Sequence, residues 1–189
     1  MAKNNFDRKV INDFGNEWES YDQSSVDSKE LKKQFSDYFK LFSWQEKITN
    51  GIGVDFGCGT GRWAKFVSEK VNFLICIDAS NKAIKVAKRN LWDKNNCHVI
   101  QGRIDTLPIL DNSLDFAYSL GVLHHLPNTE QALKKCINKL KPGAPFLLYL
   151  YYAFDNRPYW YLLIWKCSDM LRKIISKAPF RIKYFFSNI

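Results

Sequence analysis

Three alternating glycines, with an acid before them and a base after them, are the residues of this sequence best suited to hold a ligand. Gly57, Gly59 and Gly61 directly follow a short apolar run, and Asp55 precedes the first of them by two positions. Glycine is needed where φ is positive or where a side chain would collide with a bound molecule. Arg62 stands where the dinucleotide pattern G-x-G-x-x-G needs its third glycine, so the spacing favours a nucleoside joined to an amino acid over a dinucleotide.

A second acid, Asp78, ends the next apolar run, 21 positions after Gly57. An acid about 20 residues beyond a glycine turn is placed to accept hydrogen bonds from both hydroxyls of a ribose. The alternative is a capping role, because Asp78, Ser80 and Asn81 are all residue types that cap helix N-termini. The glycine turn upstream favours the ribose.

Two adjacent histidines, His124 and His125, come shortly after a third apolar run, 114–120. In an open α/β sheet the carboxyl end of such a strand reaches the ligand crevice, and it would deliver Leu120 there. An imidazole with an ordinary pKa near 6.5 can accept a proton from a reacting group, and we favour His124 for this role. The alternative is that both histidines serve only packing and the start of a helix.

These segments together resemble the class I S-adenosylmethionine (SAM)-dependent methyltransferases. The run from Asp55 to Gly61 looks like their motif I, and 111–126 is similar to the D-N-S-x-D…L-H-H-L run of the type 11 family, which includes the ubiquinone and menaquinone biosynthesis enzymes. The matching segments lie within 52–152, and the predicted SAM-binding domain is 51–152, between the segments 1–50 and 153–189. The resemblance implies a SAM cofactor, methyl transfer to an unidentified small-molecule acceptor, and a Rossmann-like α/β fold with a parallel sheet in the order 3-2-1-4-5.

The resemblance also assigns residues to the site. It places Ile104 on the adenine face and Asp105 near the adenine edge, while Arg103 occupies a position where many relatives carry an acid. We expect no metal ligands, and His124 and His125 as the catalytic candidates. The expected cofactor-binding residues are Asp55, Gly57, Cys58, Gly59, Gly61, Asp78, Ala79, Ile104, Asp105 and Leu120.

Regular alternation of strands and helices must position these residues. Short apolar strands separated by helices predict a parallel sheet with right-handed crossovers. The predicted strands are 52–56, 73–77, 98–100, 114–120 and 146–151, and the predicted helices between them are 60–70, 81–92 and 129–140.

The segment 1–50 is predicted to be a helical lead-in to this sheet domain. One helix face would pack on the sheet domain, since its apolar residues recur at helical spacing. Trp18 and Tyr21 lie in a polar stretch and are candidates for a lid over the site. The members of the helix face are Leu31, Phe35, Tyr38, Phe39 and Phe42.

The segment 153–189 departs from the family pattern. Apolar spacing predicts a helix over 161–175, Pro179 ends it, and 180–186 holds one short candidate strand without a second. The antiparallel strand pair that completes the family's sheet is therefore predicted to be missing or incomplete. The alternative to an active methyltransferase is a scaffold that binds SAM but needs a partner chain for catalysis. The edge of the fifth strand is a candidate for association with a partner or a second copy.

Charge is concentrated at the same end of the sequence. The net charge of +9 divides into −1 over 1–50, +4 over 51–155 and +6 over 156–189. Aromatic and basic residues over 156–189 fit an acceptor-binding insertion first, a peripheral contact with a membrane surface second, and nucleic acid a distant third. The five cysteines lack metal spacing, and with no secretory signal or long apolar run the sequence predicts a cytoplasmic protein.

Overall fold

The computed structural model describes residues 5–20, 27–151 and 156–176. The chain divides into two units, Met1–Tyr151 and Tyr152–Ile189. The first unit holds the sheet and the segments that precede it. The division into three segments expected from the sequence stays a prediction.

Five parallel strands in the order β3-β2-β1-β4-β5 form one sheet, as the sequence predicts. Every pair is parallel, and β1 lies at the centre between β2 and β4. Among the described residues β3 and β5 are the two edges, and association at the β5 edge stays a prediction. The strands are β1 Ile52–Phe56, β2 Phe73–Asp78, β3 Cys97–Gln101, β4 Phe116–Leu120 and β5 Phe146–Tyr149.

Helices of the first unit lie on both faces of the sheet and in the segment that precedes it in the sequence. Single turns of 3-10 helix span Ser68–Lys70, Ile104–Thr106 and Leu123–His125. The α-helices are α1 Arg8–Ser20, α2 Ser28–Tyr38, α3 Glu46–Thr49, α4 Ala64–Val67, α5 Asn81–Asn90, α6 Thr129–Lys139 and α7 Tyr159–Ser176.

Two predicted elements begin later than expected. The helix predicted over 60–70 is reduced to α4 and one 3-10 turn, because Gly61 has φ +76°, which a right-handed helix does not accommodate. The strand predicted over 114–120 begins at Phe116. Leu114 makes only an isolated parallel bridge to Leu140, and the Asp115 carboxylate accepts a hydrogen bond from the Ile52 N–H (2.9 Å).

The apolar residues of the lead-in pack against the sheet domain as expected, although helix α2 does not contain all of them. Helix α2 ends at Tyr38, so Phe39 and Phe42 lie in the turn that follows. Phe35, Phe39 and Phe42 are buried, and the Phe39 ring lies 5.2 Å from that of Tyr118 on β4. These aromatic rings form the core on one face of the sheet, while α6 packs on the other face.

The second unit is described over 156–176, where α7 confirms the predicted helix. The predicted lid residue Tyr21 and the candidate strand 180–186 lie outside the described residues. In the part of the chain that the structure describes, no helix has the length and apolar character needed to cross a bilayer.

Candidate functional site

A cavity of about 160 Å³ lies at the carboxyl ends of β1, β2 and β4, against the glycine turn. Seven of the predicted cofactor-binding residues line this cavity, and so does one of the two predicted catalytic histidines. Those lining residues are Gly57, Cys58, Gly59, Asp78, Ala79, Ile104, Leu120 and His125. The sequence therefore located the cavity, although not its whole wall.

The glycine turn is held against β2 by its own backbone. The N–H groups of Gly57 and Cys58 both donate to the Ile77 carbonyl (2.8 and 2.9 Å). Gly57 has φ +84°, and a Cβ there would lie 2.5 Å from the Val122 side chain. Gly61 faces away from the cavity, since a Cβ there would meet Leu91 at 2.8 Å. Because Gly61 has no side chain, α5 can approach the turn closely.

Asp78 connects the end of β2 to the glycine turn. One carboxylate oxygen accepts from the Gly59 N–H (3.0 Å) and the other from the Ser80 N–H (2.8 Å). Burial raises the pKa of Asp78, and these backbone hydrogen bonds offset part of the rise. The N-cap of α5 is Ser80, whose hydroxyl accepts from the Ala83 N–H, so Asp78 does not cap that helix. A carboxylate has about four acceptor positions, so these two hydrogen bonds do not use all of them.

Asp55 lies beneath the turn and does not line the cavity. It is buried, and one carboxylate oxygen has no hydrogen-bond partner among the described residues. Tyr118 is its register partner on β4. Loss of hydration raises the pKa of Asp55 to about 8, an effect that Tyr118 partly offsets and the charge of Asp78 increases. Asp55 is therefore mostly protonated near neutral pH.

Cys58 is the small side chain inside the turn. It is buried in the core and also reaches the cavity wall. Burial, with the charges of Asp55 and Asp78, raises the pKa of its thiol well above the ordinary value. A thiol that stays protonated is a poor nucleophile, which agrees with a packing role.

The far wall of the cavity follows β3. Ile104 is buried and contacts the second core cluster, while the side chain of Asp105 lies outside what the structure describes. The Arg103 guanidinium lies 4.3 Å above the Phe6 ring, and both residues line the cavity. Phe6 is thus a wall residue that the sequence analysis missed.

Helix α1 forms the opposite wall through an apolar side that the sequence analysis identified only at Trp18. Val10, Ile11, Phe14 and Trp18 all line the cavity. Their spacing of three to four residues is the signal that would have found them. A Cβ on Gly59 would lie 3.4 Å from the Trp18 indole, so this ring covers the turn.

Several contacts hold α1 and the residues before it in place. The Asn5 side chain donates to the Asn128 carbonyl (2.8 Å) and accepts from its N–H (2.7 Å), although 123 positions separate the two residues. Glu19 pairs with Lys82 on α5. Gly15 is buried where a Cβ would collide with the Ser80 hydroxyl. The helix is therefore attached to α5 and to the start of α6.

The histidine pair lies just beyond β4, and its two members differ in position. His125 lines the cavity, and its ring makes an edge contact with Phe14 at 4.7 Å. His124 is not part of the wall. Its ring lies 4.1 Å from both His125 and Tyr151, and neither of its ring nitrogens has a partner among the described residues. The cavity wall thus favours His125 over the histidine that the sequence analysis preferred.

Both histidines are neutral at physiological pH. Desolvation lowers the pKa of each, and for His124 the neighbouring His125 adds to the effect. Beside them, Gly121 has φ +76°, and no atom lies within 4 Å of a Cβ built there. The cavity therefore combines a neutral imidazole with open space at the end of β4.

Comparison with known proteins agrees with this geometry. A family model described as a methyltransferase domain matches residues 54–148. The demethylmenaquinone methyltransferase of Staphylococcus saprophyticus is 27% identical over 146 residues, which cover 63% of each chain. A mouse protein named "Probable tRNA methyltransferase 9B" is 29% identical over 57% of this chain and 23% of its own length. The chain thus spans less than two thirds of these relatives.

A solved structure gives the same picture for the fold. A SAM-dependent methyltransferase from Aquifex aeolicus superposes with a TM-score of 0.55 and 21% identity, over 66% of this chain and 68% of that one. At this identity the likeness concerns the fold alone.

Proposed function

This chain belongs to the methyltransferase domain family, and from that premise we propose that it transfers a methyl group from S-adenosyl-L-methionine to a small-molecule acceptor. The observation that carries the proposal is the cavity in which the glycine turn and the Asp78 carboxylate meet at a hydrogen-bond distance of 3.0 Å. This arrangement offers a polar acceptor and close backbone approach at the carboxyl ends of the strands, where α/β sheets take their ligands.

The residues present fit such a cofactor. Asp78 retains acceptor capacity for the ribose hydroxyls, and Ile104 offers an apolar surface to the adenine. Arg62 lines the cavity beside the turn, with its guanidinium 4.1 Å above the Trp63 ring, and is suited to a carboxylate. When bound, SAM supplies an electrophilic methyl group on a sulfonium.

The protein's contribution to the reaction is mainly positional. Holding the methyl donor and acceptor in line can lower the barrier by about 7–11 kcal/mol. Helix α1 covers the cavity with Phe14 and Trp18, which excludes water from the reacting atoms. When the methyl acceptor must lose a proton, a ring nitrogen of His125 takes it. The lowered pKa of His125 keeps this nitrogen unprotonated before the reaction.

A small acceptor fits the cavity better than a polymer, because α1 closes one side of it. Aromatic and aliphatic side chains form most of the wall, including Phe6, Phe14 and Trp63. Two relatives carry names that point to a menaquinone precursor and to tRNA as acceptors, so a test panel should contain both classes.

Calorimetric titration of the full chain with S-adenosylhomocysteine, with NAD as the control ligand, tests the cofactor. We expect binding of the former alone, and Asp78→Ala should weaken it at least about tenfold, or 1.4 kcal/mol. Asp37→Ala, an exposed acid on α2, is the matched control and should bind as the wild type does. Binding of NAD alone, or an unchanged affinity in Asp78→Ala, would refute the assignment.

Methyl transfer to the acceptor panel then separates an enzyme from a scaffold. Turnover of a small molecule supports the proposal, and turnover of tRNA alone would replace the acceptor class. Tight binding of the cofactor without turnover of any class would favour a form that needs a partner chain.

A further inference from the structure

Helix α7 presents an apolar stripe to solvent. Trp160 lies three and four residues before Leu163 and Ile164, and Met170 and Leu171 follow those two residues by seven positions, about two turns. All five therefore lie on one side of the helix. All five are exposed, Leu163 by 64% and Met170 by 65%. A contiguous exposed apolar surface of this kind marks an interaction site, whereas single exposed apolar residues do not.

The other side of α7 carries its charges. Lys166 is exposed there, and Lys173 pairs with Asp169 one turn away (2.7 Å). The sequence over 156–189 holds seven basic residues against the single acid Asp169, whereas 1–50 is nearly neutral. A surplus of +6 on so short a segment is complementary to an anionic surface.

Aromatic residues concentrate at the beginning of α7. Tyr159, Trp160 and Trp165 are all exposed, Tyr159 by 94%. Tyrosine and tryptophan rings are favoured where apolar lipid meets water, because each has an apolar body and a polar group. Lys166 and Asp169 interrupt the apolar sequence near the middle of the helix, and α7 is not apolar enough to cross a bilayer.

We propose that α7 lies flat on an anionic lipid surface, with its apolar stripe at the boundary of headgroups and acyl chains. The lysines of the helix and the basic residues beside it contact the lipid phosphates. An apolar side made of leucine, isoleucine, methionine and one tryptophan, opposite a basic side, is the pattern of helices that bind in the plane of a membrane.

Sedimentation with vesicles tests the proposal on the full-length wild-type chain. Phosphatidylcholine vesicles that contain phosphatidylglycerol should retain the protein, and pure phosphatidylcholine vesicles should retain much less. Added salt should weaken the binding, because it screens the headgroup charge. Amide hydrogen exchange should slow over 159–176 in the presence of the anionic vesicles, and stay unchanged over 52–149.

Substitutions in the stripe test which side chains enter the lipid. The double variant Leu163→Asp with Leu171→Asp should lose at least about tenfold in vesicle affinity, because charged groups do not enter the acyl boundary. The matched control is Leu41→Asp with Leu110→Asp, two exposed leucines of the first unit, which should bind as the wild type does. Circular dichroism establishes that each variant is folded.

Charge reversal tests the electrostatic part. Lys166→Glu with Lys173→Glu should weaken binding at least about tenfold, since each basic residue near an anionic surface contributes about fivefold. Lys32→Glu with Lys33→Glu makes the same change of charge on α2, and should have little effect.

Three results would overturn the proposal. One is equal retention by neutral and anionic vesicles, and another is no retention at all. The third is self-association of the wild type, measured by analytical ultracentrifugation, that the Leu163→Asp and Leu171→Asp changes abolish while vesicles do not slow exchange in α7. That result would assign the stripe to a second copy of this chain.

Discussion

Asp55→Asn should stabilise this protein by an amount that depends on pH. Asp55 is buried beneath the glycine turn, and one carboxylate oxygen lacks a partner among the described residues. Burial raises its pKa from 3.8 to about 8. The folded state therefore binds a proton that the unfolded chain has already lost, over the whole range between these values. Asparagine has nearly the shape of the protonated acid and needs no proton.

The size of the effect follows from the pKa difference. Each unit corresponds to 1.36 kcal/mol, so the wild type loses up to about 4 kcal/mol by pH 7 and about 5–6 kcal/mol above pH 8. Because the pKa of Asp55 is higher in the folded protein than in the unfolded chain, the full stability is present below the pKa of the unfolded chain. The stability then decreases as pH rises towards the pKa of the folded protein. Asp55→Asn should thus gain little near pH 4 and most above pH 8.

Urea unfolding of both proteins from about pH 5 to about pH 9 measures this difference. Asp115→Asn is the matched control, and its effect on stability should have the opposite sign. Burial alone would raise the pKa of Asp115, but hydrogen bonds from Lys141 (2.7 Å) and the Ile52 N–H (2.9 Å) outweigh it and lower the pKa. That variant should be destabilised at neutral pH. A gain in Asp55→Asn that is independent of pH, or a loss of stability above pH 8, would refute the reasoning.

Three further perturbations test the cavity and the sheet. Trp18→Ala should weaken S-adenosylhomocysteine binding at least about tenfold in calorimetry, because the indole covers the glycine turn, while Trp92→Ala, 81% exposed and outside the cavity wall, should not. Gly53→Ala should cost about 1–3 kcal/mol or more in urea unfolding, because its Cβ would lie 2.0 Å from the Phe116 ring. His125→Asn should lower kcat without changing cofactor affinity. The wild-type kcat should rise with pH through a midpoint below the ordinary histidine value of about 6.5, since desolvation lowers the pKa of His125.

Matched variants separate these effects from general damage. Gly143→Ala is the control for Gly53→Ala: its Cβ meets no atom within 4 Å, so only the strain of its φ of +77° remains, about 1–2 kcal/mol. His98→Asn changes an exposed histidine on β3 and should leave kcat unaltered. Equal losses in the Trp18 and Trp92 variants, or in the His125 and His98 variants, would contradict the site as described. A loss in Gly53→Ala no larger than that in Gly143→Ala would contradict the close contact with Phe116.

The strands were predictable because their signals are local. The apolar run that ends at Phe56 and the run that ends at Asp78 each carry their own pattern, and crossover rules then make neighbouring strands parallel. The predicted start of the helix over 60–70 was wrong for a local reason as well. The third glycine of the turn, Gly61, keeps the positive φ of the loop and delays the helix until Ala64.

The composition of the cavity wall was predictable only in part. Asp78 and Ile104 follow strand ends, and the carboxyl ends of parallel strands necessarily meet at one edge of the sheet. Phe6 and Phe14 precede the sheet by more than 35 positions, and nothing in their neighbourhood indicates which surface they cover. The preference for His124 over His125 was likewise arbitrary, because adjacent residues of a short turn face different directions.

The resemblance to class I methyltransferases implied the strand order, while the sequence's own patterns determined the five parallel strands and the turn and acid that face the cavity. Periodicity and glycine positions encode these features within a few residues of each element. Only the tertiary structure decided that α1 covers the cavity, that His125 reaches it, and that Asp55 lies buried beside Tyr118. These outcomes depend on packing and on contacts between distant parts of the chain, such as that of Asn5 with Asn128.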